Sequence, residues 1–184
     1  EGMVELMGGR ERVIADLLEF FENVPDDMMW NDYYNHANEP VHHVPFLFNR
    51  LGYPWLTQKW SRDICRRAYN NSVNGLVGND DVGQMSAWYV LASIGLYQVC
   101  PGDLRFEISS PVFDEITIRL DDQYASGNSF TIKAIHNSVE NIYVQSATLN
   151  GEPLQRCYLN YEEIISGGIL EVVMGPNPNQ NWGI

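Results

Sequence analysis

The sequence predicts an α+β chain, helical up to about residue 102 and β-rich from 103 to 184. Two observations lead there. Before residue 103 apolar residues recur at helical spacing; after it, short alternating runs are broken by turn residues. The change falls at Pro101-Gly102-Asp103, a turn signal between the two patterns.

Taken in order, Val13, Ile14, Leu17, Leu18 and Phe21 mark one face of a helix over residues 10–22. Pro25-Asp26-Asp27 stops it. A second helix is expected over 40–51, opened by Pro40 and closed by Gly52. A third covers 55–69. A fourth follows Gly83 and runs to about Tyr97, with Met85, Trp88, Ala92 and Leu96 along one stripe. Two long polar loops, 26–39 and 70–82, separate these helices, and long ordered loops are often functional. Strands are expected at 105–109, 115–119, 129–134, 143–149 and 169–173, forming an antiparallel sheet or small sandwich. Asn150-Gly151 is a hairpin turn signal, and Ser126-Gly127-Asn128 and Ser166-Gly167-Gly168 are further turns.

Composition excludes several functions. The formal net charge is −13, and without a basic stripe the surface repels phosphate, so no nucleic-acid partner is expected. No apolar run approaches the ~20 residues of a membrane-spanning helix. Cys65, Cys100 and Cys157 show no CxxC spacing, which argues against zinc, and small buried thiols suit them better than a disulfide. The start, Glu1-Gly2-Met3-Val4-Glu5, reads as neither a signal peptide nor a natural beginning. The sequence is therefore expected to be a piece of a longer chain, with any export signal upstream.

Two stretches could carry chemistry. In Gly78-Asn79-Asp80-Asp81-Val82-Gly83 two carboxylates stand just before a helix. An Asp there serves as a cap for free backbone N–H groups. The macrodipole also favours its ionised form, which a general base needs. Adjacent side chains diverge, so one Asp can cap while the other faces a cleft. In His36-Ala37-Asn38-Glu39-Pro40-Val41-His42-His43, consecutive His residues diverge by ~100° on a helix, which argues against a zinc site. Glu39 is either a helix-start charge or a ligand contact. Trp30, Tyr33 and Tyr34 form either a sugar platform or a pin for their loop. Asp121-Asp122 reads as a turn, and Asn177, Asn179 and Asn181 as a polar tail.

The run from Gly78 through Trp88 resembles the signature G-[ND]-[ED]-D-x-G-Q-[MT]-S-A-W of glycoside hydrolase family 92, the calcium-dependent exo-α-mannosidases. It continues similarly through Tyr97 and Val99-Cys100-Pro101-Gly102. Asn38-Glu39-Pro40 with His42-His43, the stretch from Trp55 to Trp60, Ser110-Pro111-Val112-Phe113-Asp114, Met174-Gly175-Pro176 and Asn181-Trp182-Gly183 resemble that family too. The resemblance spans the whole chain. It implies the last helices of an (α/α)6 barrel, over 1–102, followed by a β-rich segment over 103–184. It implies inverting hydrolysis of terminal α-linked mannose from glycans, with Ca2+ as cofactor and a secreted, periplasmic or cell-surface address. By this resemblance Asp81 is the catalytic base, with Asn79 or Asp80 in support. Asn79 stands where some members have Asp, which leaves the assisting role open. Glu39 is a leaving-sugar contact, and Asn38 sits where linkage preference is set. The general acid would lie before Glu1, so the 184 residues alone are expected to be inactive. Their partners would be mannose-containing glycans and the remainder of the enzyme, with an oligomer possible through exposed helix faces. A reading from another class is a carbohydrate-binding or structural module complete in itself.

Overall fold

A computed structural model describes residues 2–184. The chain opens with a short helix, α1 (Gly2–Leu6), then α2 (Arg10–Glu22), whose Val13, Ile14 and Phe21 are buried. Phe21 stacks on Trp60 of α4 (Pro54–Arg67) at 5.0 Å between centroids, and Trp60 and Ile64 carry the apolar face of α4. α5 (Gln84–Ile94) closes the helical half. It stops at Gly95, which takes φ +88°, and a Cβ there would lie 2.6 Å from Pro111 Cγ. Only glycine fits that end without strain.

The expected helix over 40–51 is not one helix. It is two 3-10 turns, Glu39–Val41 and Val44–Phe46, followed by a single α turn, α3 (Leu47–Arg50). Pro45 supplies the reason. It has no N–H to donate and restricts the residue before it, so the chain can make only short i→i+3 closures there. Those closures are His42 N to Glu39 O and Phe46 N to His43 O.

Among the described residues eight strands follow, in two sheets. β1 (Leu96–Tyr97), β2 (Arg105–Ile108) and β7 (Tyr158–Asn160) form a three-stranded antiparallel sheet. The larger sheet runs β3 (Glu115–Arg119), β4 (Ser129–Ile135), β8 (Gly168–Gly175), β5 (Tyr143–Leu149), β6 (Glu152–Pro153). It is mixed rather than antiparallel, because β8 enters between β4 and β5, parallel to the first and antiparallel to the second. Alternation reveals a strand's faces but not its direction. A short helix, α6 (Tyr161–Ile165), follows β7. The Glu163 carboxylate accepts the Asn160 N–H at 2.8 Å, half of a capping box.

Polar side chains join the two halves. Asn49 donates to the carbonyls of Ile108 and Cys157, at 2.9 and 3.0 Å. The Gln58 amide oxygen accepts from Val144 N at 3.0 Å, beside the bulge in β5. Fully buried Glu107 is paired with both Arg50 and Arg105. Buried groups so bonded are costly to separate, so the helices are held firmly against the sheets. Cys65 and Cys157 are buried free thiols, pushed up by burial to about 12 and about 11, whereas Cys100 is an exposed one. The tail asparagines are structural: Asn179 bonds to Gln145 O, and Asn177 O accepts from Gln145.

Candidate active site

Two loops meet in front of α5. The first runs from the end of α4 to Gly83. It is closed on itself by Asn70 N to Gly75 O and Val77 N to Ala68 O. Gly78, at φ +67°, lies so close to Ala37 that a Cβ would stand 2.8 Å from the alanine methyl. This contact sets the loop against the segment that carries Asn38 and Glu39. Three successive residues then adopt left-handed backbone: Asp81 (φ 42°), Val82 (φ 59°) and Gly83 (φ 88°). For a β-branched residue such as Val82 that conformation is strained, by about 1–3 kcal/mol in general. The strain separates two neighbouring carboxylates. Asp80 accepts the Ser86 N–H at 2.9 Å and so caps α5, while its carbonyl accepts from Met85 N. Asp81 gives only its carbonyl to Gln84 N, and its exposed side chain turns toward Glu39.

The second loop is tied down from beneath by an aromatic and imidazole network. Tyr69 donates to Met85 O at 3.0 Å, so its oxygen accepts from His36 Nε2. His36 Nδ1 in turn accepts from Tyr34 at 2.8 Å. His42 Nε2 donates to His36 O at 3.0 Å, and its Nδ1 accepts from Gln84. Trp88 donates its indole N–H to His42 O, and the two imidazoles stack at 4.6 Å. Both rings are thus neutral and bonded at each nitrogen. Burial holds His36 down to about 2 and also lowers His42. These bonds connect α5, the end of α4 and the 34–42 segment behind the carboxylates.

The proximity of Glu39 raises Asp81 above the ordinary aspartate value, first through their shared hydrogen bond and then through charge repulsion. Asp80 adds a smaller push. One oxygen of Glu39, Oε1, is buried without a partner. Asn38 is half-buried beside it, and Asn79 is exposed two residues before Asp81. The structure therefore brings Glu39 and Asp81 together, with Asn38 next to Glu39 along the chain, and gives Asp80 a capping task. His36 and His42 prove to be scaffold. The spacing of their sequence could not reveal this, because their partners Tyr69, Gln84 and Trp88 lie more than 30 residues away.

Carboxylate oxygens are the donors calcium takes, but calcium needs six to eight oxygen ligands. Among the described residues no group of three or more His, Cys, Asp or Glu could hold a metal ion. These residues do not by themselves make a calcium site.

Two neighbouring carboxylates, one of them raised above its ordinary value, stand on a strained loop above a rigid scaffold, an arrangement suited to acid–base chemistry. More narrowly, the chain belongs to glycosyl hydrolase family 92: the model of that family's catalytic domain matches residues 1–176. A protein of Arthroderma benhamiae described as an uncharacterized secreted glycosidase is 30% identical over 183 residues, covering 98% of this chain and 22% of the relative. A family 92 α-mannosidase from Bacteroides thetaiotaomicron is similar in structure, with TM-score 0.87 and 38% identity over 96% of this chain and 23% of that one. A family 92 inverting mannosidase from the same bacterium gives TM-score 0.84 and 35% identity, over 99% of this chain and 26% of that one. The chain thus spans about a quarter of the length of these relatives. No helix among the described residues is long and apolar enough to cross a membrane.

Proposed function

We propose that this chain is the part of an inverting exo-α-mannosidase that holds the general base, Asp81, and part of the leaving-sugar site, Glu39 and Asn38. The Asp81–Glu39 pair carries the reading. A base works best when its pKa lies near the working pH, and the Glu39 carboxyl moves Asp81 in that direction. In an inverting reaction Asp81 would take a proton from the attacking water, on the face of the sugar opposite the acid. The two carboxyls would stand roughly 6.5–9.5 Å apart. Asp80 supports the base through the helix cap, and Asn79 lies close enough in sequence to help orient the water. The general acid would come from another part of the enzyme. Calcium, when bound, would hold sugar hydroxyls and favour ring distortion, with its ligand set completed by other segments. α5 supports the (α/α)6 barrel expectation: it is apolar on nearly every side, and Val90 is 57% exposed. Such a helix is suited to burial among neighbours.

The test is mannose release from α-mannobiose by the complete polypeptide, with the first-formed anomer read by proton NMR. The reading expects β-mannose, and loss of release in EDTA that calcium restores. First-formed α-mannose would refute inversion, release unaffected by EDTA would refute the calcium requirement, and no release would refute the mannosidase reading itself.

A further inference from the structure

A shallow depression lies on the loop before the carboxylate pair. It is open to solvent and spans about 550 Å³ between the end of α2 and residues 30–35. Its wall includes Trp30, Asp32, Tyr33 and Asn35. Trp30 is 74% exposed. Trp30 does not pack against this chain as its neighbours Met28 and Tyr34 do, both of which are buried. Trp30 also takes φ 24°, a backbone angle that a bulky residue rarely adopts. Asn31 fixes this shape by donating to Met29 O and Tyr34 O while its amide oxygen accepts from Tyr33 N. The loop is therefore preorganised with the indole outward.

Asn35 is the second observation. The residue lines the depression and is only 9% exposed, and its buried amide oxygen has no partner. A buried polar group left unpaired is costly, and such an orphan calls for an explanation. The unpaired oxygen is itself buried, so a hydroxyl entering the depression would pair with it once the amide turns outward. A flat apolar face, an amide and the exposed Asp32 carboxylate together suit a neutral pyranose. The ring would stack on Trp30, and its hydroxyls would reach the amide and the acid. Asp26, Asp27 and Asp32 in the same loop disfavour an anionic ligand.

We infer that this depression is a distal subsite for a neutral hexose unit of an oligosaccharide whose other end lies at Glu39 and Asp81. The inference rests on the mannosidase reading for the identity of the chain it would bind. Proximity favours one ligand serving both places. Asn35 and Glu39 are four residues apart, so their Cα atoms lie within ~14 Å even at full extension.

The test uses the complete polypeptide carrying Asp81→Asn, so that sugar is not consumed, and calorimetric titration with α-mannobiose and α-mannotriose. Adding Trp30→Ala is expected to raise the Kd for the trisaccharide about tenfold and leave the disaccharide unchanged. Trp30→Phe should restore most of the loss. Equal weakening for both sugars, or no change for either, would overturn the subsite. Trp30 is exposed, so its truncation should leave the melting temperature unchanged; a large fall in it would show that the residue is structural and overturn the subsite as well. Failure of the mannosidase reading shows separately, as absence of mannose release by the polypeptide with Asp81 intact.

Discussion

The two halves of this chain spend their sequence differently. In the β half, inward residues such as Phe130, Ile132, Leu170 and Val172 are fully or almost fully buried, alternate residues face outward, and the core is shared among neighbouring strands. In the helical half two loops meet at Gly78 and Ala37, a valine sits at positive φ, and a helix keeps an apolar residue in the open. Regular pairing satisfies the backbone with little help from side chains. The loops need side chains to do that work, and Asp80, Asn31, His36 and His42 are used for it. What remains free after that work, Asp81 and Glu39, is available for chemistry. The strain in the helical half is thus the counterpart of regularity in the sheets.

That contrast can be broken or sharpened by substitution. The largest effect on stability is expected in the β half. Ile132→Ala should cost about 2–5 kcal/mol, read by urea unfolding, because a buried side chain leaves a cavity. Activity per folded molecule should not change. Gly78→Ala should do the reverse. It puts a methyl against Ala37 and a non-glycine residue at φ +67°, with a stability loss of only about 1–2 kcal/mol. By moving Asp81 relative to Glu39 it should lower kcat/KM roughly 10²-fold, the scale of a ~1 Å misplacement. A stability loss as large as that of Ile132→Ala, with unchanged kcat/KM, would show that the loop contact is only structural.

A smaller effect separates electrostatics from position. In the proposed role Asp81 must be deprotonated to act as a base, so activity is expected to fall as pH drops through its pKa. Glu39 raises that value. Glu39→Gln removes the like charge and should move the acid limb of the pH–kcat profile to lower pH, with KM for the disaccharide increased. An acid limb that stays in place would mean that another group sets it.

Much of the β half was legible because alternation is local: residues 115–119 and 143–149 were expected as strands and are strands. The direction of β8 was not, since a period of two carries no polarity. α2 was legible in full from its apolar face. The segment after Glu39 was misread because Pro40 looked like a helix opening, while Pro45 prevents the helix from continuing. β1, β7 and α6 were missed because they are very short and depend on distant partners. At the site, the Gly78–Trp88 run pointed to Asp81, and the Asn-Glu-Pro stretch to Glu39. Their meeting was not visible, because it rests on Gly78 against Ala37 and on an imidazole network with distant partners.

The central claim is that Asp81 serves as the base while Asp80 caps α5. The most direct test is kcat for mannose release by the complete polypeptide, compared with Asp81→Asn and Asp80→Ala. The account predicts a fall of about 10²–10⁴-fold for Asp81→Asn without loss of stability. It predicts a stability loss of ~1 kcal/mol for Asp80→Ala, with most of the rate retained. Full activity in Asp81→Asn, or loss of the rate only in Asp80→Ala, would contradict it.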